Sequence, residues 1–267
     1  MPTPSGQISL DDVNTELDIS PGTQINMGAT AVRALAEVPS GAISMSDLQN
    51  KSNAQFIVAS GGSVSTVGDY KIHVFTSSGS FAVSQTGNAA GSDSVDYFVV
   101  GGGGGGGGGI GGSPNFWFGG GGGGAGGFRE SVPSGGDWSA SPLAKSNGAV
   151  PVSAQTYPVT IGGGGSGSPQ NNPGSAGSGS TFSSITSAGG GFGGGRSGSP
   201  NNAGGPGGSG GGGGGGGQAG AAGSGNSPPV SPPQGSDGAG GSGNQWGPSN
   251  PGGGGGGAVG VGSNGAQ

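Results

Sequence analysis

Few residues of this chain are of the types that perform catalysis. His73 is the single histidine and there is no cysteine, so neither a Cys-ligated metal nor a histidine cluster has its ligands. His73 also sits between Ile72 and Val74 in an alternating run, which places it on the solvent face of a strand rather than in the role of a base. Glycoside hydrolysis needs two carboxyl groups held ~5–10 Å apart. In residues 101–267 only Glu130 and Asp137 lie near each other, and they are expected in a loop with no apolar shell to shape a site. Gly-x-Gly-x-x-Gly recurs here by composition alone, and no Gly-Lys-Ser/Thr follows to make a phosphate loop. The expectation is a chain that is not an enzyme, with no catalytic residue, no metal site and no cofactor.

The residues suited to chemistry of another kind are aromatic and amide side chains. Asn115, Phe116, Trp117 and Phe118 form one cluster, and Gln170, Asn171 and Asn172 form a second. Exposed aromatics beside amides stack on sugar rings or capture protein surfaces. The same aromatics would equally serve to cover the ends of glycine segments, and both readings stay open.

What must position them is unusual. Of 267 residues 77 are glycine, only 7% are charged and 28% are hydrophobic. An enzyme core of ordinary density has too little apolar material here. No run of ~18 apolar residues could span a membrane as a helix, and no secretory signal is visible at the start. The average hides two parts. Only ten glycines lie in residues 1–100, together with nine acids and three bases, so the whole net charge of −6 resides there. Neither part offers a basic face, which argues against a nucleic-acid partner.

Three segments follow from the patterning. Residues 1–53 read as short helices. Ser9 before Leu10-Asp11-Asp12 and Ser44 before Met45-Ser46-Asp47 are capping-box signatures. Leu10, Val13 and Leu17 form one apolar stripe, Val32 and Leu35 a second, Met45 and Leu48 a third. Helices this short are marginal alone in water, so they need each other or another chain. The reading favoured is an attachment segment using these seven residues, against a self-contained lobe. Residues 54–100 change to period two: Tyr70, Ile72 and Val74, then Phe81 and Val83, then Val95, Tyr97 and Val99. Three or four antiparallel strands are expected, with those residues on the buried face.

Residues 101–267 open with nine consecutive glycines, 101–109, and further runs follow at 119–124, 162–165, 189–195 (broken by Phe192), 210–217 and 252–257. Collagen fails because no Gly-X-Y triplet is sustained. Disorder is favoured by composition. An ordered alternative is a bundle of polyglycine II helices, with three residues per turn and a rise of ~3.1 Å, whose backbone donors and acceptors point outward to neighbouring helices. The longer runs would make rods of roughly 19–28 Å. Ordering a residue costs about 1–2 kcal/mol and a net hydrogen bond returns ~0.5–1.5 kcal/mol, so only a packed array could stand. The expected fold is therefore mostly irregular and β: short N-terminal helices, a small antiparallel β segment, then a glycine bundle with loops. If the runs alternate up and down, loops 110–118, 166–188 and 218–237 lie at the far end, and 128–161 and 244–251 return to the near end.

The junction Val95-Asp96-Tyr97-Phe98-Val99-Val100 into Gly101–Gly109 resembles the glycine-rich domain of bacteriophage tail-fibre and receptor-binding proteins. So do Tyr157-Pro158-Val159-Thr160-Ile161-Gly162-Gly163 and Ser180-Thr181-Phe182-Ser183-Ser184-Ile185 leading into Gly189. Ile8-Ser9-Leu10-Asp11-Asp12-Val13-Asn14 with Ile43-Ser44-Met45-Ser46-Asp47-Leu48 is similar to an N-terminal segment of phage tail proteins. The resemblance implies a virion-located adhesin held by other tail or baseplate proteins. Its loops would bind a host surface receptor, a polysaccharide or an outer-membrane protein. A structural fibre or cap segment is the alternative. Tail fibres are often homotrimers, yet a glycine bundle can also be complete within one chain.

Overall fold

The computed structural model describes the chain apart from residues 1, 89–90, 114–115, 133–139, 147, 197–200, 244–248 and 266–267; residues 111–113, 116 and 132 are described by their backbone alone. The chain forms two compact units. One comprises Met1–Ser60, Ala82–Val95 and Val150–Thr156, the other Gly61–Phe81, Asp96–Ala149 and Tyr157–Gln267.

The first unit begins with the capped helices. Ser9 closes a capping box over helix Leu10–Glu16, its Oγ accepting from the Asp12 amide at 3.2 Å while its own amide donates to the Asp12 carboxylate at 2.7 Å. Helix Thr30–Ala36 ends on Glu37 in the left-handed region, and a 3-10 turn, Met45–Leu48, carries the second capping box through Ser44 and Asp47. The apolar stripes find their partner surface in one another: Val13, Val32, Leu35, Ala36 and Leu48 form a buried cluster, with Leu17 and Met45 packed against its edge. The ends of this lobe are zipped together, the Thr3 amide donating to the Lys51 carbonyl and the Lys51 amide to Thr3 Oγ1, both at 2.8 Å. Strand Val58–Ser60 then pairs antiparallel with residues 82–85, and Ser94–Val95 pairs with Val150–Pro151.

The second unit has a mixed end and a glycine-rich body. Phe98–Val100 pairs antiparallel with Phe128–Val132, and residues 159–160 pair with Ser180–Phe182, which turns through Ser183 into Ile185–Ser187. Phe81, Tyr157 and Phe182 pack ring to ring at 5.8–6.5 Å. As expected, Phe81, Tyr97 and Val99 are buried.

The hairpin Ser63–Val67 with Tyr70–Val74 corrects the face assignment. Tyr70, Ile72 and Val74 are exposed, whereas His73 is half-buried, its Nδ1 2.8 Å from the Gly61 carbonyl and its ring edge-on to Phe81 at 5.1 Å. Gly61 and Gly62 take positive φ, 114° and 64°, and so bring the strand in with its other face towards Phe81. Alternation had marked two faces; the entry turn decided which one looks inward.

The glycine segments run extended and hydrogen-bond to one another at every third residue. Gly101, Gly104 and Gly107 donate to Gly127, Gly124 and Gly121, so 119–127 is antiparallel to 101–109. Gly102, Gly105 and Gly108 donate to Ser178, Ser175 and Asn172, also antiparallel. Gly102, Gly105 and Gly108 in turn accept from Gly190, Gly193 and Arg196, a parallel pairing. Further out, Gly210, Gly213 and Gly216 donate to Ser236, Ala239 and Ser242, while Gly119, Gly122 and Ala125 donate to Asn250, Gly253 and Gly256. The spacing between segments excludes side chains. A Cβ added at Gly104, Gly107, Gly120 or Gly123 would come within 3.0 Å of a carbonyl oxygen of a neighbouring segment.

These pairings overturn the alternation assumed from glycine runs alone. Residues 172–179, 202–208, 219–225 and 236–243 also run as extended segments, each reversing the chain once more. They escape a search for polyglycine because glycine is demanded only where they face the centre: Gly174 and Gly177 abut the 101–109 segment, while Ser175, Ala176 and Ser178 take the other positions. Consequently 180–187 and 226–235 return to the near end, where Phe98–Val100 enters, and 244–251 belongs to the far end with 110–118.

Candidate functional site

At the far end the chain turns through Ile110–Ser113 into Phe116–Phe118, an antiparallel pair with Ile110 opposite Phe118. Ser249–Asn250 adds a parallel strand, Ser249 opposite Trp117 and Asn250 opposite Phe118. Phe116–Phe118 is thus the middle strand of three, and its aromatics stand on a backbone held from both sides. The Asn250 carbonyl also accepts from Gly119 at 2.8 Å, which ties this small sheet to the start of the next glycine segment. Ile110, Trp117, Phe118, Ser249, Asn250 and Pro251 line a shallow open groove.

Trp117 is 64% exposed, a large apolar ring presented to solvent. Phe118 is half-buried, and the Arg196 guanidinium lies 4.4 Å from its ring centroid, within cation–π range. Arg196 is held there by its backbone, whose amide donates to the Gly108 carbonyl at 3.1 Å. The Gly108 amide donates in turn to the Asn172 carbonyl at 2.9 Å. One glycine therefore joins the segment carrying the aromatics to both the arginine and the amide turn.

Of the expected binding residues, Trp117 and Phe118 lie on this sheet, and Gln170, Asn171 and Asn172 occupy the turn at the same end. Asn171 adopts positive φ, 68°, to make that turn; Gln170 and Asn172 are exposed and Asn171 is half-buried. Phe116 is placed by its backbone alone, and Asn115 lies outside the described residues. Ser249, Asn250 and Arg196 were not anticipated. Arg196 carried a signal, being one of three bases among residues 101–267 and closing the 189–195 glycine run. The partnership of Asn250 with Phe118 spans more than 130 residues, and no local pattern announces it.

The seven residues expected to mediate attachment lie in the helical lobe. Val13, Val32, Leu35 and Leu48 are buried in its core, Leu17 and Met45 are packed against it, and Leu10 is 45% exposed on its outer surface.

The groups described at the far end, an indole, a phenyl ring, amides, a hydroxyl and a guanidinium, can stack and hydrogen-bond. Among the described residues no group of three or more histidine, cysteine, aspartate or glutamate side chains could hold a metal ion, and no helix is long and apolar enough to cross a membrane. A family model described as a glycine-rich domain matches residues 75–267. No curated protein and no solved structure matches the chain.

Proposed function

This chain belongs to the glycine-rich domain family, and we propose that it is a bacteriophage tail-fibre or tail-tip adhesin. Its glycine segments form a bundle of polyglycine II helices, and the far end of that bundle binds a receptor on the host surface. Support for the helix type comes from hydrogen bonds that recur at every third residue, the period of a three-residue turn. No described glycine within these segments has φ between +20° and +160°. Both backbone groups of interior glycines such as Gly102 and Gly105 are bonded to neighbouring segments, as burial requires.

The observation that carries the functional reading is the exposed Trp117 on a strand braced from both sides. A scaffold made of backbone contributes no side chains for recognition, so recognition falls to the turns at its ends. The helical lobe is the virion-proximal part in this reading. Its stripes are spent on its own core, so contact with tail or baseplate proteins falls to outward residues such as Leu10.

Purified chain added to host cells before phage particles tests the proposal. The expected result is a dose-dependent block of adsorption. A chain that folds and leaves adsorption unchanged would point instead to a structural fibre or cap segment.

A further inference from the structure

We infer that the strand Ser63–Val67 is an interaction edge whose partner is the same strand of a second copy, the two pairing antiparallel about a two-fold axis at Ser65. Ser63–Val67 and Tyr70–Val74 form a sheet of two strands only, in unbroken register from Ser63 opposite Val74 to Val67 opposite Tyr70. All five residues of Ser63–Val67 are exposed. Val67, Tyr70, Ile72 and Val74 share one face of the hairpin and are exposed on it. A two-stranded hairpin is marginal in water, and three or more strands are needed before an apolar face stabilises a sheet.

Val67 and Tyr70 flank a two-residue turn with Gly68 at φ 56°, which makes them a hydrogen-bonded pair. Alternation then directs the backbone groups of Ser63, Ser65 and Val67 to Tyr70–Val74, and those of Val64 and Thr66 outward. Among the described residues no further backbone partner meets Val64 or Thr66. An open edge is a template for another strand, and proteins blunt it with charge, proline, a bulge or short length. Every other edge strand among the described residues is blunted in this way. Val58–Ser60 and Ile110–Ser113 carry a register shift, Tyr70–Val74 and Lys145–Ser146 carry a lysine, and the rest are two or three residues long. Ser63–Val67 has none of these features.

Self-complementarity selects a second copy of this chain. Antiparallel pairing centred on Ser65 sets Val64 opposite Thr66 of the partner subunit, and Thr66 opposite the partner's Val64. These are the residues whose backbone groups point outward, so their N–H and C=O groups close on one another as hydrogen-bonded pairs. Ser63 falls opposite the partner's Val67, so the apolar faces of both hairpins lie on one side of a four-stranded sheet. Ser63–Val67 carries no charge, so two chains of net charge −6 meet there with no like charges opposed.

The chain has no cysteine, which makes cross-linking the direct test. In this pairing Ser65 meets its own copy as a non-hydrogen-bonded pair with Cα atoms about 4.5 Å apart, within the span of a disulfide. Full-length S65C under mild oxidation should become a disulfide-linked dimer, whereas K71C, on the outer strand, should stay unlinked. Sedimentation of the parent chain over a concentration series should show monomer passing to dimer. S65K should move that midpoint at least tenfold to higher concentration, with circular dichroism matching the parent, because it sets two like charges face to face. A parent that is monomeric at every concentration or trimeric would overturn the inference. So would S65C that links no more readily than K71C.

Discussion

A Cβ placed on Gly107 would come within 3.0 Å of the carbonyl oxygen of Gly194, on a segment 87 residues away in sequence. Neither atom belongs to a side chain that could swing aside. Gly103 lies four residues earlier on the same segment, and its added Cβ would meet nothing closer than 3.7 Å. The two positions are chemically identical and differ only in which neighbouring segment they face.

The first prediction follows. Gly107→Ala should destabilise the second unit by about 1–3 kcal/mol or more, because overpacking against fixed backbone has no relaxed alternative. Gly103→Ala should be neutral or stabilising by about 0.4–1 kcal/mol, since alanine narrows the unfolded ensemble at a compatible position. Denaturant midpoints of the two variants check the contrast. Equal losses would mean that the segments do not hold this register.

Gln234 is the subject of the second. It is buried at the near end, its Oε1 accepting from the Ala188 amide and its Nε2 donating to the Pro228 carbonyl, both at 2.8 Å. Gln234→Leu would leave both backbone groups without these partners, each worth about 1–3 kcal/mol when buried and unbonded. Hydrogen exchange at the Ala188 amide should accelerate before the rest of the array loosens.

The third concerns pH. Asp12 and Asp47 have their carboxyl groups held below the ordinary value of 3.8. For Asp12 the largest cause is the Ser9 hydroxyl; for Asp47 it is the Ser44 backbone amide. A depressed folded-state pKa contributes stability that is fully present above the unfolded value and fades as pH falls through the folded one. The helical lobe should therefore loosen as pH drops below 3.8, and the double change D12N with D47N should flatten that dependence. Carboxyl chemical shifts and the Ser9 and Ser44 amide signals report it directly.

How much of this was readable in the sequence differs by region, for physical reasons. Capping boxes are local, so Ser9 with Asp12 and Ser44 with Asp47 announce their helices within four residues. Alternation at Phe81 and Val83, or Tyr97 and Val99, marks a buried face wherever the next layer is fixed. It misassigned Tyr70, Ile72 and Val74, because two left-handed glycines at the entry turn set which face points inward. The longest glycine runs were plain, whereas the outer segments were hidden by Ser175, Ala176 and Ser178. An edge segment needs glycine only where it meets its neighbour, at Gly174 and Gly177. Each hidden segment reversed the chain, and so the assignment of loops to ends failed beyond residue 171. The far-end site was legible in Trp117 and Phe118 but not in Asn250 or Arg196, whose positions come from pairings distant in sequence.

The fourth prediction separates scaffold from site. Trp117→Ala removes an exposed ring, so the melting transition and the three-residue hydrogen-bond register should be those of the parent chain.

The most direct test of the central claim is phage adsorption to host cells in the presence of increasing purified chain, run in parallel with W117A. The account predicts that the parent blocks adsorption and that W117A, folded and equally stable, requires at least tenfold more protein to do so. Equal blocking by parent and W117A would contradict the assignment of the far end as the receptor-binding surface.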